Sequence, residues 1–464
     1  MIRAMRNSLI VWAGITCLIL FQFLWTYSRH GLAGFRIFMQ ESVYTHIPIT
    51  LASVAILWLL TGLLLWLIRT QKITKANVLT WAGFFAVAFL YINILRERVR
   101  YGDIDYYTQA AFALANNQPL PDFYLYPPLW ATLLSFLTPL GEEGILFIAW
   151  IANTLSLFLF YFLLHRVLEQ YQFNPQAAAL TTTLFMLVSM PILRTLMYVQ
   201  VNFHVMNLIF LSLLLYKDRL FLSALALALA IHFKASPAVL VLAFLLEWNW
   251  KWLAWFATSM ILIAGLTVVF YGMSPFLDFT NNFLLLNAPS SFSMHDSSFD
   301  SAIGTTLSYF RADPAVVRIL VYLVKGLTVL AALYLSMRPP GFLSAGSNKA
   351  RLFNSILPLF VAMTIASPLV WEHHGIFLTL PFLLLLKKIQ TPVEWVLYGA
   401  VYLLVFLTPT FDFFPWSYGR LPGILVLLML LWIVRNRSDN TLFPAFNSWA
   451  ESIFSPRVWV QNKQ

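Results

Sequence analysis

The sequence predicts an all-α polytopic membrane protein, and three observations indicate this fold class. Of the 464 residues, 60% are hydrophobic and only 10% are charged, whereas a soluble domain usually carries about 25% charged residues. Apolar runs close to the length that crosses a bilayer recur along the whole chain. Basic residues lie in short clusters between these runs. We therefore expect a single membrane domain over residues 1–464.

The apolar runs predict a bundle of about 12–14 transmembrane helices. The longer runs are residues 9–27, 49–68, 78–95, 145–164, 177–193, 252–271, 319–335, 352–366, 393–407 and 424–434. The shorter runs are residues 205–216, 220–233, 238–248 and 376–386. These shorter runs are either full spans with polar ends or re-entrant segments packed inside the bundle.

The distribution of charge predicts the orientation of the bundle. With a cytoplasmic N-terminus and alternating sides, about 18 of the 29 Lys and Arg residues fall on the cytoplasmic side, as the positive-inside rule expects. Lys387 and Lys388 are among them, and residues 387–464 are expected to form C-terminal helices and a cytoplasmic tail. This topology accounts for the net charge of +10, so no nucleic-acid partner is expected. Cys17, the single cysteine, predicts neither a disulfide nor a thiol metal site.

Two long loops fall on the predicted external side, at residues 96–144 and roughly 272–315. Loops of this length are usually functional. In the first loop, residues 106–114 and 129–140 are apolar enough to form short helices along the membrane interface.

The first candidate site is the segment of residues 102–107, Gly-Asp-Ile-Asp-Tyr-Tyr, with Tyr126 further along the same loop. A carboxylate of Asp103 or Asp105 at the membrane boundary can take a proton from a sugar hydroxyl, while Tyr106 and Tyr107 stack on the sugar. The alternative is that both aspartates are solvated loop acids, one of which caps the following helix, and that the tyrosines form an interfacial belt.

Lys234 and the pair His373 and His374 are the next candidates. A lysine beside the hydrocarbon is a candidate partner for a phosphate, unless it extends along the helix end towards water. The histidines can donate hydrogen bonds to a phosphate or orient an acceptor, and Trp371 can stack. A metal site is the weaker interpretation, because adjacent helical residues point about 100° apart and no other ligand spacing accompanies them.

Asp296 lies in a polar external segment, residues 292–300. The segment is either a substrate-binding loop or an ordinary solvated loop.

Taken in order, these segments resemble the polyprenol-phosphate-mannose-dependent mannosyltransferases of the GT-C superfamily, glycosyltransferase family 87. The resemblance covers about residues 78–386. The matching pieces are Asp103 with Tyr106, Tyr107, Ala110 and Ala111; Tyr126, Pro127, Pro128 and Leu129 with Pro139 and Leu140; Gln200 with Asn202; Lys234 with Pro237; Asp296, Ser297 and Ser298; and Ser367 and Pro368 with Trp371, His373 and His374.

The resemblance implies a GT-C fold, a polyprenyl-phosphate-linked sugar as donor, a glycolipid or glycan as acceptor, and neither metal nor cofactor. It implies that Asp103 is the catalytic base, with Asp105 in reserve. The residues expected at the donor phosphate are Lys234, His373, His374 and Arg194. Those expected at the substrate are Tyr106, Tyr107, Tyr126, Gln200, Asn202, Asp296, Trp371 and Glu372. The chain departs from the usual pattern in its two extra N-terminal spans and in Asp-Ser-Ser at residues 296–298, where relatives often have Asn-x-Ser.

The expected activity is inverting transfer of a sugar, mannose by resemblance, on the extracytoplasmic face of a bacterial plasma membrane. A phosphate leaving group needs no general acid, so one base is sufficient. A retaining reaction needs two suitably placed carboxyl groups, and Asp103 and Asp105 diverge by about 200° on a helix. The alternative is a transporter or flippase for a lipid-linked or anionic substrate. Against it stand the absence of visible repeat halves and the location of the charges on one face.

Overall fold

The structure is a computed structural model that describes residues 102–285, 296–343, 349–410 and 415–454, with a few isolated positions between residues 12 and 62. Within these residues the regular structure is helical and contains no β-strand, which confirms the predicted all-α class. The predicted spans at residues 9–27 and 49–68 lie almost wholly outside the described residues, and the span at 78–95 lies wholly outside them.

Seventeen α-helices form the described part of the chain. They are α1 (Asp103–Ala115), α2 (Leu129–Ser135), α3 (Gly141–Gln170), α4 (Pro175–Leu187), α5 (Met190–Met197), α6 (Asn202–Leu215), α7 (Leu220–Phe233), α8 (Val241–Leu246), α9 (Trp250–Tyr271), α10 (Ser274–Leu285), α11 (Phe299–Ser308), α12 (Pro314–Met337), α13 (Ala350–Ala366), α14 (Thr379–Leu385), α15 (Pro392–Val401), α16 (Arg420–Val434) and α17 (Leu442–Phe454). Short 3₁₀ segments lie at Thr138–Leu140, Ser236–Leu240, Glu372–Leu378 and Trp416–Tyr418, and a π-helical segment lies at Tyr402–Leu407.

Four helical stretches in the described residues are long and apolar enough to cross a membrane, and a fifth is possible if the bent pair α4 and α5 forms one span. They are Gly144–Gln170, Trp250–Tyr271, Pro314–Met337 and Trp416–Val434. Helices α9 and α12 leave many large apolar side chains exposed, as expected of helices that face lipid. The polytopic class is therefore confirmed.

The centre of the bundle is built around α13. Nearly all of its side chains are buried, because the helix packs against α12, against α16 and against the segment Ser236–Leu246. A helix that is apolar all round is stable only when it is surrounded in this way. The last turn of α13 leads directly into the loop that carries Ser367 and Pro368.

The apolar run predicted at residues 177–193 is not one straight helix, because two helices form it. Helix α4 ends at Leu187, α5 begins at Met190, and the two are bent by 64°. Pro191 lies in the first turn of α5. Proline lacks the N–H that a continuing helix needs and is tolerated in a first turn, so the chain restarts there.

The two long loops contain more regular structure than the sequence predicted. The first contains α1 and α2, close to the two short helices expected there. The second contains α10 and α11, which the sequence analysis did not predict. Helix α10 holds the first loop in place: Asn282 donates to the carbonyl oxygens of Pro121, at 2.8 Å, and Tyr124, at 3.2 Å.

The basic pair at the end of α14 is buried, although the sequence placed it in an ordinary cytoplasmic loop. The Nζ atom of Lys387 donates to the carbonyl oxygens of Tyr171, at 2.7 Å, and Phe342, at 3.0 Å. Both lysines also pair with Asp439, at 3.5 Å from Lys387 and 2.9 Å from Lys388. This cluster fixes the C-terminal segment onto the bundle.

The turn Glu372–Leu378 fits closely against the start of α5, and a glycine makes this possible. A Cβ atom added at Gly375 would lie 2.6 Å from Cγ of Pro191, well inside van der Waals contact. At Gly326, in the middle of α12, an added Cβ would meet nothing within 4 Å. Substituting alanine at each glycine therefore distinguishes two effects on stability: a steric clash at Gly375, and a gain in helix propensity without a clash at Gly326.

We expect Gly375→Ala to lower the free energy of unfolding by about 1–3 kcal/mol, the usual cost of overpacking. Gly326→Ala should be neutral or stabilising by about 0.5–1 kcal/mol, because glycine inside a helix is less favourable than alanine. The measurement is thermal or denaturant unfolding of both variants in the same detergent. Equal stability of the two variants would contradict the close packing at Gly375.

Candidate functional site

One cavity, of about 260 Å³, is lined by half of the candidate site residues singled out from the sequence. Six parts of the chain form it: the first turn of α1, the loop before α2, the segment after α7, helix α10, the end of α13 with the loop that follows, and the turn at residues 371–374. The predicted residues that line it are Asp103, Tyr106, Tyr126, Lys234, Trp371, His373 and His374. Most of the remaining wall is apolar and includes Phe123, Leu125, Val239, Phe283 and Met363.

Asp103 is positioned by the residue that precedes it. Gly102 has φ of 156° and ψ of −168°, a conformation that residues with a Cβ atom rarely adopt. A Cβ atom there would also lie 3.0 Å from the ring of Tyr198. Helix α1 therefore begins at Asp103, in close contact with Tyr198, and Asp103 is only 8% exposed.

Three polar side chains support the carboxylate of Asp103. The Tyr126 hydroxyl donates to its Oδ2 atom. Gln200 Oε1 accepts a hydrogen bond of 3.2 Å from the Tyr107 hydroxyl and lies 3.3 Å from the Tyr126 hydroxyl. Burial raises the pKa of Asp103 above its ordinary value, although the Tyr126 hydrogen bond and the charge of Lys234 oppose this shift. A carboxylate with a raised pKa is a better proton acceptor than an ordinary aspartate.

Lys234 supplies a buried positive charge to the same cavity. It follows the last residue of α7, and its Nζ atom donates to Asn202 Oδ1 at 3.0 Å. The ammonium also lies 5.5 Å from the ring centroids of Tyr126 and Phe377, which favours the charge through cation–π attraction. Burial lowers the pKa of Lys234 to about 8, while the charge of Asp103 acts in the opposite direction.

The turn at residues 371–374 forms the opposite wall. Asn202 Nδ2 donates to the carbonyl oxygen of His373, at 3.3 Å, and so joins this turn to Lys234. Burial, together with the charge of Lys234, lowers the pKa of His373 and of His374 well below the ordinary value. Both imidazoles are therefore neutral near pH 7.

Arg194 and Glu372 lie behind this wall and do not line the cavity. They form a buried ion pair between Arg194 Nε and Glu372 Oε2. Glu372 also accepts from the backbone N–H of Thr410 and lies 3.9 Å from Arg420 NH2. These contacts of Glu372 anchor the turn on the side away from the cavity, because a buried carboxylate between two guanidinium groups fixes the chain that carries it.

Asp296 and Asp105 are also absent from the cavity wall. Asp296 is fully buried and accepts hydrogen bonds from Ser298, Ser301 and the backbone N–H of Val370. It therefore ties the start of α11 to the loop that lines the cavity. Asp105 lies half-buried in the first turn of α1.

Sequence reasoning missed Arg420 and the apolar part of the wall. Arg420 lies four residues before the apolar run predicted at residues 424–434, and an ionisable residue near the edge of a span is a recognisable signal. Phe123 and Phe283 carry no such signal, because a single aromatic residue in a loop has no periodic pattern.

The arrangement has a proton acceptor and a cation at one small apolar cavity, with neutral imidazoles beside them. Among the described residues, no group of three or more His, Cys, Asp and Glu side chains is placed to hold a metal ion. This chemistry suits a ligand that has both a hydroxyl group and an anionic group.

Comparison with protein families matches residues 124–368 to glycosyltransferase family 87. No curated protein and no solved structure matches the chain. Tyr126, Gln200, Asn202 and Lys234 lie within the matched region. Asp103 and the turn at residues 371–374 lie just outside it, yet the structure packs them onto the same cavity. Because the match spans more than half of the 464 residues, the chain belongs to glycosyltransferase family 87.

Proposed function

We propose that the protein transfers a hexose, mannose by resemblance, from a polyprenyl-phosphate-linked donor to a glycolipid or glycan acceptor. The observation that carries this proposal is the placement of the Asp103 carboxylate and the Lys234 ammonium at one apolar cavity. Asp103 is the base for the acceptor hydroxyl, and Lys234 is the partner of the donor phosphate. Membership of a glycosyltransferase family favours this reaction over the transporter considered from the sequence.

The size of the cavity supports a lipid-linked donor. At about 260 Å³ it lies slightly below the range of about 300–1,000 Å³ that is usual for small-molecule sites. It therefore suits a sugar phosphate, while a polyprenyl chain lies outside it along the apolar surface. Val239 and Phe283, which line the cavity, suit the part of the lipid that lies next to the phosphate.

The reaction is a displacement at the anomeric carbon of the donor sugar. The bond from this carbon to the phosphate oxygen breaks, and its electron pair stays on the phosphate. The acceptor oxygen forms the new bond to the same carbon, and its proton passes to the carboxylate of Asp103. Lys234 stabilises the negative charge that develops on the departing phosphate.

A single displacement with inversion is favoured by the number of available carboxylates. Among the described residues that line the cavity, Asp103 is the one carboxylate. Glu372 is held in its ion pair with Arg194, and Asp296 is held by its serine and backbone donors. A retaining mechanism needs a second carboxylate close to the first to act as nucleophile.

The predicted topology supports an extracytoplasmic site. Asp103, Lys234 and the turn at residues 371–374 all belong to segments that the charge distribution assigns to the external side. Nucleotide sugars are made in the cytoplasm and are not available on the external side, so a site on the external side takes a lipid-linked donor. We propose that the enzyme works there, in a bacterial plasma membrane, and contacts membrane lipids through its apolar helices.

Asp103→Asn should lower the rate of sugar transfer by about 10²- to 10⁴-fold, because the acceptor proton then has no base. Asp105→Asn is the matched control, since it makes the same change two residues away in the same helix and should leave most of the activity. The measurement is transfer of radiolabelled mannose from polyprenyl phosphate to a membrane-lipid acceptor, with purified, folded protein. Full activity of Asp103→Asn would exclude Asp103 as the base.

The pH dependence of kcat/KM should have two limbs. Asp103 acts as a carboxylate and its pKa is raised, so activity falls with decreasing pH at a higher pH than for an ordinary aspartate. Lys234 acts as an ammonium with a pKa of about 8, so activity falls as the pH rises through that value. Lys234→Arg should remove the alkaline limb, because a guanidinium stays charged. An unchanged alkaline limb in that variant would assign it to another group.

The configuration at the anomeric carbon should be inverted in the product. The measurement is nuclear magnetic resonance of the product formed from a donor of defined configuration. Retention would require a second nucleophilic carboxylate and would overturn the single-displacement mechanism.

A further inference from the structure

Phe123 lines the cavity and yet remains exposed. It is 74% exposed, whereas Lys234, in the wall of the same cavity, is 9% exposed. Phe123 therefore lies at the mouth of the cavity, and the buried ammonium lies deeper. A single exposed apolar residue is ordinary on a protein surface. The support and the neighbours of Phe123 therefore decide whether its ring has a function.

The turn that carries Phe123 is fixed by helix α10. Asn282 donates to the carbonyl oxygens of Pro121 and Tyr124, on either side of Phe123. Asp278 Oδ2 accepts from the backbone N–H of the residue before Pro121, at 3.0 Å. The backbone of the turn is thus held while the ring stays exposed. A ring on a fixed backbone loses little conformational entropy when a ligand binds to it.

The ring of Tyr106 extends this aromatic surface towards Asp103. The ring centroids of Phe123 and Tyr106 are 6.4 Å apart and the rings are tilted by 46°, so they form one bent surface. Tyr106 lies three residues after Asp103, on the same side of α1. Burial, followed by the charge of Asp103, raises the pKa of the Tyr106 hydroxyl. A molecule that lies on the two rings is therefore next to the carboxylate.

The chemistry of this surface suits a pyranose ring. The faces of a pyranose carry C–H groups that pack on aromatic rings, and its edge carries hydroxyl groups that need polar partners. A sugar on Phe123 and Tyr106 thus buries its apolar face and directs hydroxyl groups towards Asp103. A lipid chain would also bury apolar surface there, but it has no hydroxyl group for the base. The open mouth leaves space for the rest of an acceptor outside the cavity.

We propose that Phe123 is a specificity-determining residue for the acceptor. Its ring, together with that of Tyr106, binds the apolar face of the terminal pyranose of the acceptor and leaves a hydroxyl group of that sugar near Asp103. The enzyme then recognises acceptors by a terminal sugar ring, while the remainder of the glycan or glycolipid stays outside. The inference rests on the proposed function, because it takes Asp103 as the base for the acceptor.

Phe136 is a matched control on the same external segment. It directly follows α2, is 50% exposed and packs edge to face on Phe270 at 5.0 Å between ring centroids. Phe136 does not line the cavity. Exposed aromatic rings of this kind are typical of the membrane interface. Comparison of Phe123 with Phe136 therefore distinguishes sugar recognition from contact with lipid.

Two substitutions at Phe123 distinguish a flat ring from apolar character alone. Phe123→Leu keeps an apolar side chain and should raise the KM for the acceptor about tenfold, because the stacking surface is lost. The kcat and the KM for the polyprenyl-phosphate sugar should change much less, because the ring binds the acceptor equally before and during the reaction. Phe123→Tyr and Phe136→Leu should both resemble the wild type. The measurement is transfer of radiolabelled mannose to increasing amounts of a membrane glycolipid extract.

A wild-type KM for the acceptor in Phe123→Leu would overturn the proposal, because the ring would then act only through its apolar character. An equal effect of Phe136→Leu would also overturn it. Both side chains are at least half exposed, so neither substitution removes a buried contact from the core.

Saturation-transfer nuclear magnetic resonance tests the surface without turnover. The probes are methyl α-D-mannopyranoside and methyl β-D-glucopyranoside, added to purified protein in lipid nanodiscs. Saturation of the aromatic protons of the protein should reach the C–H protons of at least one probe, in the wild type and in Phe123→Tyr but not in Phe123→Leu. No transfer in the wild type, or equal transfer in Phe123→Leu, would overturn the inference. Failure of the proposed function is distinct, because the wild type would then use no polyprenyl-phosphate sugar although it bound the probe.

Discussion

The site depends on the placement of a carboxylate and an ammonium, Asp103 and Lys234, together at an apolar cavity. Burying a single charge is costly, and each charge is tolerated because the other is near and because polar groups surround both. Tyr126 donates to Asp103, and Asn202 accepts from Lys234. The ring of Tyr126 lies beside both charges. The same residues that make the burial tolerable also hold the two groups in the geometry that a displacement reaction needs.

The buried ion pair of Arg194 and Glu372 extends this constraint below the cavity. Together with Arg420, it leaves more positive than negative charge beneath the turn that carries the histidines. Burial, together with this positive charge, lowers the pKa of both histidines and keeps the imidazoles neutral near pH 7. A rigid turn is needed for this purpose, and the close fit of Gly375 against Pro191 supplies it.

Much of this arrangement could be predicted from the sequence, and the remainder depends on long-range packing. Hydropathy located most of the helices in the described residues, and the order of short motifs located Asp103, Lys234 and His374, which do share one cavity. Local patterns do not reveal which groups meet across the bundle, so Arg194 was expected at the phosphate but pairs with Glu372. The break between α4 and α5 was missed because Pro191 lies within a continuous apolar run.

The chain that leaves the end of α5 reaches the site in a strained conformation. Val199 has φ of 49°, in the left-handed region where β-branched residues are rare, and such strain costs about 1–3 kcal/mol. The flanking contacts hold it in place: Tyr198 accepts from Arg194 at 2.7 Å, and Gln200 accepts from Tyr107. The turn at Val199 directs Tyr198 towards the ion pair and Gln200 towards Asp103. Two consecutive peptide bonds thus join the Arg194–Glu372 ion pair to the group around Asp103. The hydrogen bonds of Tyr198 and Gln200 at either side hold Val199 in its unfavourable backbone conformation.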